Sequence, residues 1–180
     1  MKTKDVIVLS YQKEWKEAFL KIKDELNQVL KDKDVRIEHV GSTSVEGLAA
    51  KPVIDIDIII LRTDFEDIKR KLEVLDYHHE GNLGILDREA FKYVNKSHLM
   101  KHHLYVCPID SDEYQRHLSF RDWLKTHPED REAYGSLKMM LAKKYPHDID
   151  RYMEEKSPLI EEIYQKIKKK ELPVSTRSSW

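Results

Sequence analysis

The chain has 180 residues, of which 40% are hydrophobic and 36% charged, a composition typical of one globular domain with a solvated surface. No apolar stretch approaches the roughly 20 residues needed to cross a bilayer, and the apolar segment near the start is too short for a secretion signal, so we expect a cytoplasmic protein with no membrane partner. The 32 basic and 33 acidic side chains leave a formal charge of −1, which argues against nucleic acid as a partner and requires any polyanion to bind at a local site.

The first third of the chain predicts a helix and two strands. Apolar residues at steps of three and four predict an amphipathic helix over residues 11–31. Residues 35–40 alternate and run into Gly41, as a strand entering a turn does, and a short helical segment is expected at residues 45–50. Residues 53–61 are β-branched and almost wholly apolar, which is typical of a central strand covered on both faces.

The rest of the chain predicts a second helix, two further strands and a helical C-terminal part. Residues 63–66 offer a capping box for the second helix. The predicted elements are, in order, this helix ending near Asp76, a short strand at 91–94, a strand at 99–107, and helices near 110–126, 129–144 and 148–170. We therefore expect an α/β (α+β) fold with a single domain over residues 1–170 and a flexible tail over residues 171–180.

A pair of aspartates within the apolar strand is the strongest chemical signal. Residues i and i+2 of a strand share a face, so Asp55 and Asp57 point into one space. Two carboxylates this close repel each other unless a cation lies between them, and Mg²⁺ commonly binds one or two carboxylates together with phosphate oxygens. The pair predicts a magnesium site, and the alternative is that both residues lie at an exposed strand end and cap neighbouring N–H groups.

The turn that precedes this strand complements the aspartates. Gly41 allows the backbone to approach a ligand closely, and Ser42 offers a hydroxyl and N–H groups to phosphate. Lys51 precedes Pro52, which favours an extended conformation just ahead of the strand, where its ammonium group would neutralise phosphate charge. A Gly-Ser turn is common on its own, but together these features predict a nucleoside triphosphate as ligand.

Other catalytic motifs fail on inspection. The segment from Gly41 to Gly47 lacks the Lys-Ser/Thr that ends a P-loop, and Ser44 lacks the flanking glycines of a nucleophile elbow. Adjacent histidines such as His102 and His103 face opposite sides of a strand. Since Cys107 is the single cysteine, the composition excludes an internal disulfide and argues against zinc.

Four segments resemble the GrpB family. They are Arg36-Ile-Glu-His-Val-Gly-Ser-Thr-Ser44 with its continuation to Asp57, then His102-His-Leu-Tyr-Val106, and then His117-Leu-Ser-Phe-Arg-Asp-Trp-Leu124 followed by Leu137-Lys138. The resemblance covers roughly residues 5–168. The family is placed in the nucleotidyltransferase superfamily, which implies a nucleotidyltransferase-like mixed β-sheet flanked by helices. It also implies a nucleotide held at the Gly41 turn and Mg²⁺ bound by Asp55 and Asp57.

Two features depart from what the resemblance implies. Glu46 replaces a proline that is frequent in relatives, which changes the stiffness of the loop. Active nucleotidyltransferases usually bring a third carboxylate from a later strand, where this chain has His103 and Tyr105. His103 is a candidate general base or phosphate contact, and a packed strand histidine is the equal alternative. The acids that can substitute for the third carboxylate are Glu80, Asp87 and Glu89.

These observations predict a magnesium-dependent nucleotidyltransferase that acts on a nucleoside triphosphate and an unknown small acceptor. The predicted catalytic residues are Asp55, Asp57 and His103, of which the two aspartates hold the metal. The predicted substrate-binding residues are Gly41, Ser42, Thr43, Ser44, Lys51 and Tyr105. Two alternatives stay open: a catalytically inactive nucleotide-binding module, and a protein-interaction domain that uses the C-terminal helices.

Overall fold

The computed structural model describes residues 5–171. Five strands and five α-helices follow one another in it: α1 (Glu14–Leu30), β1 (Arg36–Val40), β2 (Ile54–Ile60), α2 (Phe65–Val74), β3 (His78–Gly81), β4 (Glu89–Lys92), β5 (His102–Pro108), α3 (Asp112–Thr126), α4 (Pro128–Lys144) and α5 (Ile149–Glu171). The predicted tail lies outside the described residues, apart from Glu171 at the end of α5.

The five strands form one mixed sheet in the order β1-β2-β5-β4-β3. β2 and β5 are parallel, while the other neighbours are antiparallel. The pairing of β2 with β5 places the two longest strands at the centre of the sheet. This arrangement confirms the mixed α/β fold with flanking helices.

One face of the sheet carries the main core. The isoleucines at even positions of β2, such as Ile56 and Ile58, are fully buried against α1 and α2. Their partners on the helices include Ile22 and Leu72, which are also fully buried. Because side chains alternate along a strand, this packing turns the odd positions of β2, including both aspartates, to the opposite face.

The C-terminal helices cover the opposite face. Tyr114 of α3 packs on Ile59 and Cys107 at one end of the sheet, and a second cluster joins α3, α4 and α5 to the loop between β1 and β2, where Leu48 is fully buried. The described helices include none that combines the length and apolar character of a membrane span. The odd face of β2 therefore looks into a space between the sheet and α3–α5.

Two local predictions are wrong. Residues 45–50 do not form a helix; instead Ser42–Ser44 form a 3₁₀ turn, and Gly47 has a φ of 85°, a left-handed conformation that interrupts any helix. The capping box at residues 63–66 is also absent. A 3₁₀ turn over Arg62–Asp64 runs directly into α2, so that Asp64 is already helical and makes no side-chain cap hydrogen bond.

Candidate functional site

The two aspartates share the odd face of β2, where the register of the sheet aligns them with neighbouring strands. Asp55 lies opposite His103 and Asp57 opposite Tyr105 on β5. On the other side, Glu38 of β1 lies opposite Asp57. Asp57 is fully buried, and the side chain of Asp55 is 33% exposed. The strand therefore presents one buried and one accessible carboxylate to the same space.

Asp57 is held by a histidine of the covering helix. His117 Nδ1 lies 2.6 Å from Asp57 Oδ2, and its Nε2 lies 3.1 Å from Glu113 Oε1. Burial lowers the pKa of His117, but the hydrogen bonds and charges of the two carboxylates outweigh it and raise this pKa to about 9. Burial raises the pKa of Asp57 above its usual value, and the hydrogen bond and charge of His117 offset only part of that rise. At neutral pH the imidazolium thus donates to both acids and compensates the buried charge.

Each aspartate keeps one oxygen outside this network. Asp57 Oδ1 is buried and has no hydrogen-bond partner among residues 5–171. Asp55 uses Oδ1 to accept a hydrogen bond from His103 Nδ1, at 3.0 Å. An unpartnered buried carboxylate oxygen is costly unless a cation or donor binds it.

This donor set fits one Mg²⁺ ion. Within the part of the chain that the structure describes, no group of three or more His, Cys, Asp or Glu is arranged to hold a metal. Magnesium needs fewer protein ligands than that, because it commonly binds one or two carboxylates and completes its shell with water and phosphate oxygens. Asp55 and Asp57 are the residues that would hold it.

The Gly41 turn lies directly against Asp55. Gly41 has a φ of 72°, and a Cβ atom at this position would overlap Asp55 Oδ2. Ser44 Oγ donates to Gly41 O at 2.5 Å, which closes the turn, and Thr43 Oγ1 lies 2.9 Å from His39 Nε2. Gly41, Ser42 and Thr43 line a cavity together with Asp55, whereas Ser44 faces the other side of the turn.

This cavity has a volume of about 340 Å³ and lies between the sheet and the C-terminal helices. Three of its lining residues are lysines: Lys51, Lys138 of α4 and Lys156 of α5. Lys138 is 2% exposed and Lys156 is 8% exposed. Asp55 is the one acid among the described residues that line the cavity. The cavity therefore gathers positive charge beside a single accessible carboxylate.

The two helix lysines are held under electrostatic strain. Lys138 Nζ is buried without a hydrogen-bond partner among residues 5–171 and lies 4.2 Å from the centre of the Tyr134 ring. Burial, followed by the charges of Lys156 and Lys51, lowers the pKa of Lys138 well below its usual range. Burial and the charge of Lys51 lower the pKa of Lys156 to about 8. An anionic ligand would relieve this repulsion.

The acids proposed as substitutes for a third carboxylate lie in three different places. Asp87 pairs with Arg62 at 2.7 Å, and Glu89 lies 2.6 Å from His79, so both are engaged away from the cavity. Glu80 is exposed and borders a neighbouring depression that also contains His103 and Tyr105. The guanidinium carbon of Arg88 lies 4.3 Å from the centre of the Tyr105 ring.

The sequence prediction missed the residues that the C-terminal helices bring to the site. His117 appears in it only as part of a family motif, and Glu113 and Lys156 do not appear. A sequence signal exists for Lys156 alone: it lies on the buried side of α5, whose apolar residues follow a helical period, and a lysine is rarely buried unless it is paired. α4, which carries Lys138, has no comparable apolar face.

A comparison with known families identifies the chain. The model of the family described as "GrpB protein" matches residues 5–166. The chain belongs to the GrpB family. It is 33% identical to the glutamate-rich protein GrpB of Alkalihalophilus pseudofirmus, over 88% of this chain and 94% of the relative. It is 31% identical to the UPF0157 protein YqkA of Bacillus subtilis, of which the match covers 48%.

A more distant match connects this GrpB-family chain to a larger protein. It is 24% identical to a dephospho-CoA kinase of Mycobacterium tuberculosis, over 84% of this chain and 43% of the kinase. In both this kinase and YqkA, the chain therefore spans about half of the matched relative's length.

Solved structures confirm the fold. A GrpB protein from Enterococcus faecalis is 36% identical, with a TM-score of 0.78 over 91% of this chain and 98% of that chain. Cid1 in complex with the UTP analogue UMPNPP has a TM-score of 0.51 at 11% identity, over 76% of this chain and 42% of that chain. The Cid1 poly(U) polymerase bound to MgATP has a TM-score of 0.53 at 9% identity, over 76% and 43%. This GrpB-family protein thus has the nucleotidyltransferase fold.

Proposed function

We propose that this protein is a magnesium-dependent nucleotidyltransferase that transfers a nucleotidyl group from a nucleoside triphosphate to a small acceptor. The observation that carries the proposal is the cavity in which three lysines and the Gly41 turn surround Asp55. A basic cavity beside paired carboxylates suits a polyphosphate bound together with a divalent cation.

The lysines support a polyphosphate as the ligand. Lys138 and Lys156 are buried, and each is in contact with a tyrosine ring, at 4.2 Å and 5.0 Å respectively. Burying two ammonium groups in this way is unfavourable without an anion. A triphosphate would supply several charged oxygens to them and to Lys51, while Ser42 and the N–H groups of its turn would donate to further oxygens.

Asp55 and Asp57 would hold the magnesium ion. Bound there, the metal would neutralise phosphate charge and polarise the reacting phosphoryl group. The unpartnered Asp57 Oδ1 supports this assignment, and the His117 imidazolium favours the carboxylate form of Asp57 by donating to Oδ2. Gly41 is required because any side chain there would displace Asp55.

His103 would act as the general base. If Asp55 accepts the Nδ1 proton of His103, the Nε2 lone pair is free to accept a proton from an acceptor hydroxyl or amine. The acceptor atom then attacks the α-phosphorus, the bond to the β-phosphate oxygen breaks, and pyrophosphate leaves. Tyr105, on the same face, would border the acceptor or the base of the nucleotide.

A second candidate function is a nucleotide-binding module without transfer. The observation that favours it is β5, which places His103 and Tyr105 beside the aspartates where active relatives of the superfamily usually carry a third carboxylate. A site with one metal would retain the nucleotide while activating the acceptor poorly.

The test is pyrophosphate release in the presence of Mg²⁺. ATP, GTP, CTP and UTP are each offered with a panel of small hydroxyl and amine acceptors, which includes dephospho-CoA because one relative is a dephospho-CoA kinase. Asp55→Asn serves as the blank, and Asp24→Asn, an exposed aspartate of α1, serves as the matched control. We expect release from the parent and from Asp24→Asn, and none from Asp55→Asn.

Calorimetry with ATP and Mg²⁺ separates the two candidates. If the parent binds ATP with Mg²⁺, Asp57→Asn loses that binding, and no acceptor leads to pyrophosphate release, the protein is a binding module. Absence of magnesium-dependent binding in the parent would contradict both candidates and favour a protein-interaction role for the C-terminal helices.

A further inference from the structure

A second, larger cavity of about 920 Å³ lies on the other side of the Gly41 turn. It is enclosed by α1, by β1 and by the facing ends of α3 and α4. Thr43 lines both this cavity and the smaller one beside Asp55. A single buried residue of the turn therefore separates the two spaces.

The floor of the larger cavity is aromatic and apolar. The rings of Phe19 and His39 are stacked, with centres 4.7 Å apart and planes at 15°. Burial lowers the pKa of His39 to about 4, so its ring is neutral and presents a face rather than a charge. Leu20 of α1 also lines the cavity and is 46% exposed. Such a floor favours a flat ring.

The rim is cationic. Five basic and two acidic side chains line the cavity. One acid, Glu38, is engaged by Arg121 at 2.9 Å, and Arg131 donates to the carbonyl oxygen of Leu124 at the end of α3. The remaining acid, Glu46, is exposed.

Three ammonium groups on this rim stay available for a ligand. Within residues 5–171, Lys16, Lys23 and Lys125 take part in none of the ion pairs. Lys16 and Lys23 are two helical turns apart on α1 and flank Leu20, so they lie on one face of that helix. Lys125 approaches from α3.

We propose that this larger cavity is a binding site for an organic anion that carries a flat ring. The ring would lie against Phe19 and His39, and the anionic group, a phosphate or a carboxylate, would bind the lysines of the rim. Because Thr43 lines both cavities, this ligand would lie next to the turn that, on the proposed function, holds the phosphates.

The experiment uses phenyl phosphate as the probe. It is titrated into isotope-labelled protein while backbone amide signals are followed by NMR, once alone and once after saturation with the nonhydrolysable analogue AMP-PNP and Mg²⁺. We expect saturable shifts at Thr43, Gly47 and Lys125 in both titrations, with similar Kd. Phenol, which lacks the charge, should give no saturable shift, and benzoate in place of phenyl phosphate decides between phosphate and carboxylate.

Charge-reversed variants test the rim. The Lys16→Glu, Lys125→Glu double variant should raise the Kd of phenyl phosphate roughly tenfold or more. Lys169→Glu, an exposed lysine near the end of α5, should leave that Kd unchanged within about a factor of two. Lys16, Lys125 and Lys169 are all exposed, so we expect both variants to fold.

Three outcomes would overturn the inference: no saturable binding of either anion by the parent, equal binding by the double variant, or displacement of the probe by AMP-PNP. Failure of AMP-PNP itself to bind would instead overturn the proposed function. The titration without the analogue still tests the larger cavity in that case, so the two failures are distinguishable.

Discussion

At Gly41 the conformation of the backbone and the position of Asp55 depend on each other. Gly41 has a φ of 72° and a ψ of −178°, a conformation that is essentially restricted to glycine and that costs another residue about 1–3 kcal/mol. The space that a Cβ atom would fill is occupied by the Asp55 carboxylate. The missing side chain of Gly41 thus lets its turn lie against the carboxylate of Asp55, the proposed metal ligand.

Gly41→Ala should therefore abolish magnesium-dependent binding of ATP as well as destabilise the protein. The matched control is Gly81→Ala, because Gly81 also has a positive φ, 86°, but has nothing within 4 Å of an added Cβ. We expect both variants to lose about 1 kcal/mol of unfolding free energy to backbone strain, and the Gly41 variant to lose more. Urea unfolding and calorimetry check this, and equal ATP affinity in the two variants would contradict the assignment.

The sequence was sufficient to place Asp55 and Asp57 on one face but not to describe their surroundings. The alternation of a strand is a local rule, so it also placed His103 and Tyr105 correctly once β5 was recognised. His117 comes from a helix whose approach to Asp57 depends on tertiary packing, and no local pattern predicts a contact between residues so far apart in the chain. The acids at positions 87 and 89 were unplaceable for the same reason.

At the scale of elements, helices and strands with a regular apolar period were predictable, whereas the loop between β1 and β2 was not. Apolar residues at 45 and 48 are three positions apart, as in a helix, but they are buried beneath α3–α5 from a loop that Gly47 turns. Tertiary packing therefore mimics a helical period there. The same helices carry lysines at positions 138 and 156 on their buried side. If these lysines bind the proposed phosphate ligand, the protein gains that binding at the expense of folding stability.

Lys138→Met should make the protein more stable and bind ATP less well. Removing a buried ammonium group whose pKa is lowered by burial should raise the unfolding free energy by about 1–2 kcal/mol, since methionine fills similar space without a charge to desolvate. Loss of a charged hydrogen bond to phosphate should raise the Kd of ATP about tenfold or more. Urea unfolding and calorimetry at neutral pH measure the two effects.

Lys143→Met is the control, because Lys143 is an exposed residue of the same helix. Its unfolding free energy should stay within about 0.5 kcal/mol of the parent, and its ATP affinity should be unchanged. A Lys138→Met variant that loses stability, or that binds ATP as tightly as Lys143→Met does, would contradict this prediction. Lys138 would then contribute to the stability of the fold and not to the binding of ATP.

At the scale of the whole molecule, a formal charge of −1 conceals a strongly uneven distribution. Both cavities beside the Gly41 turn gather lysines, and the larger one also has two arginines. Many of the acids are paired at the surface or, like Asp57, compensated by a neighbouring cation. Because the net charge of the protein is close to zero, the protein as a whole does not attract polyanions nonspecifically. The charge that is proposed to bind phosphate is instead concentrated between the sheet and the C-terminal helices.

Binding of ATP with Mg²⁺ should take up protons at pH 8. Bound phosphate favours the charged form of a lysine, so the pKa of Lys156, about 8 in the free protein, and the lowered pKa of Lys138 should rise. His117, with a pKa of about 9, stays protonated at this pH, and phosphates with a second pKa of about 6 are already ionised. The affinity for ATP should accordingly fall as the pH is raised through about 8.

Calorimetry in two buffers with different ionisation enthalpies measures the proton uptake. Lys156→Met should reduce this uptake. No proton uptake by the parent, or the same uptake by Lys156→Met, would contradict binding of phosphate at the lysines.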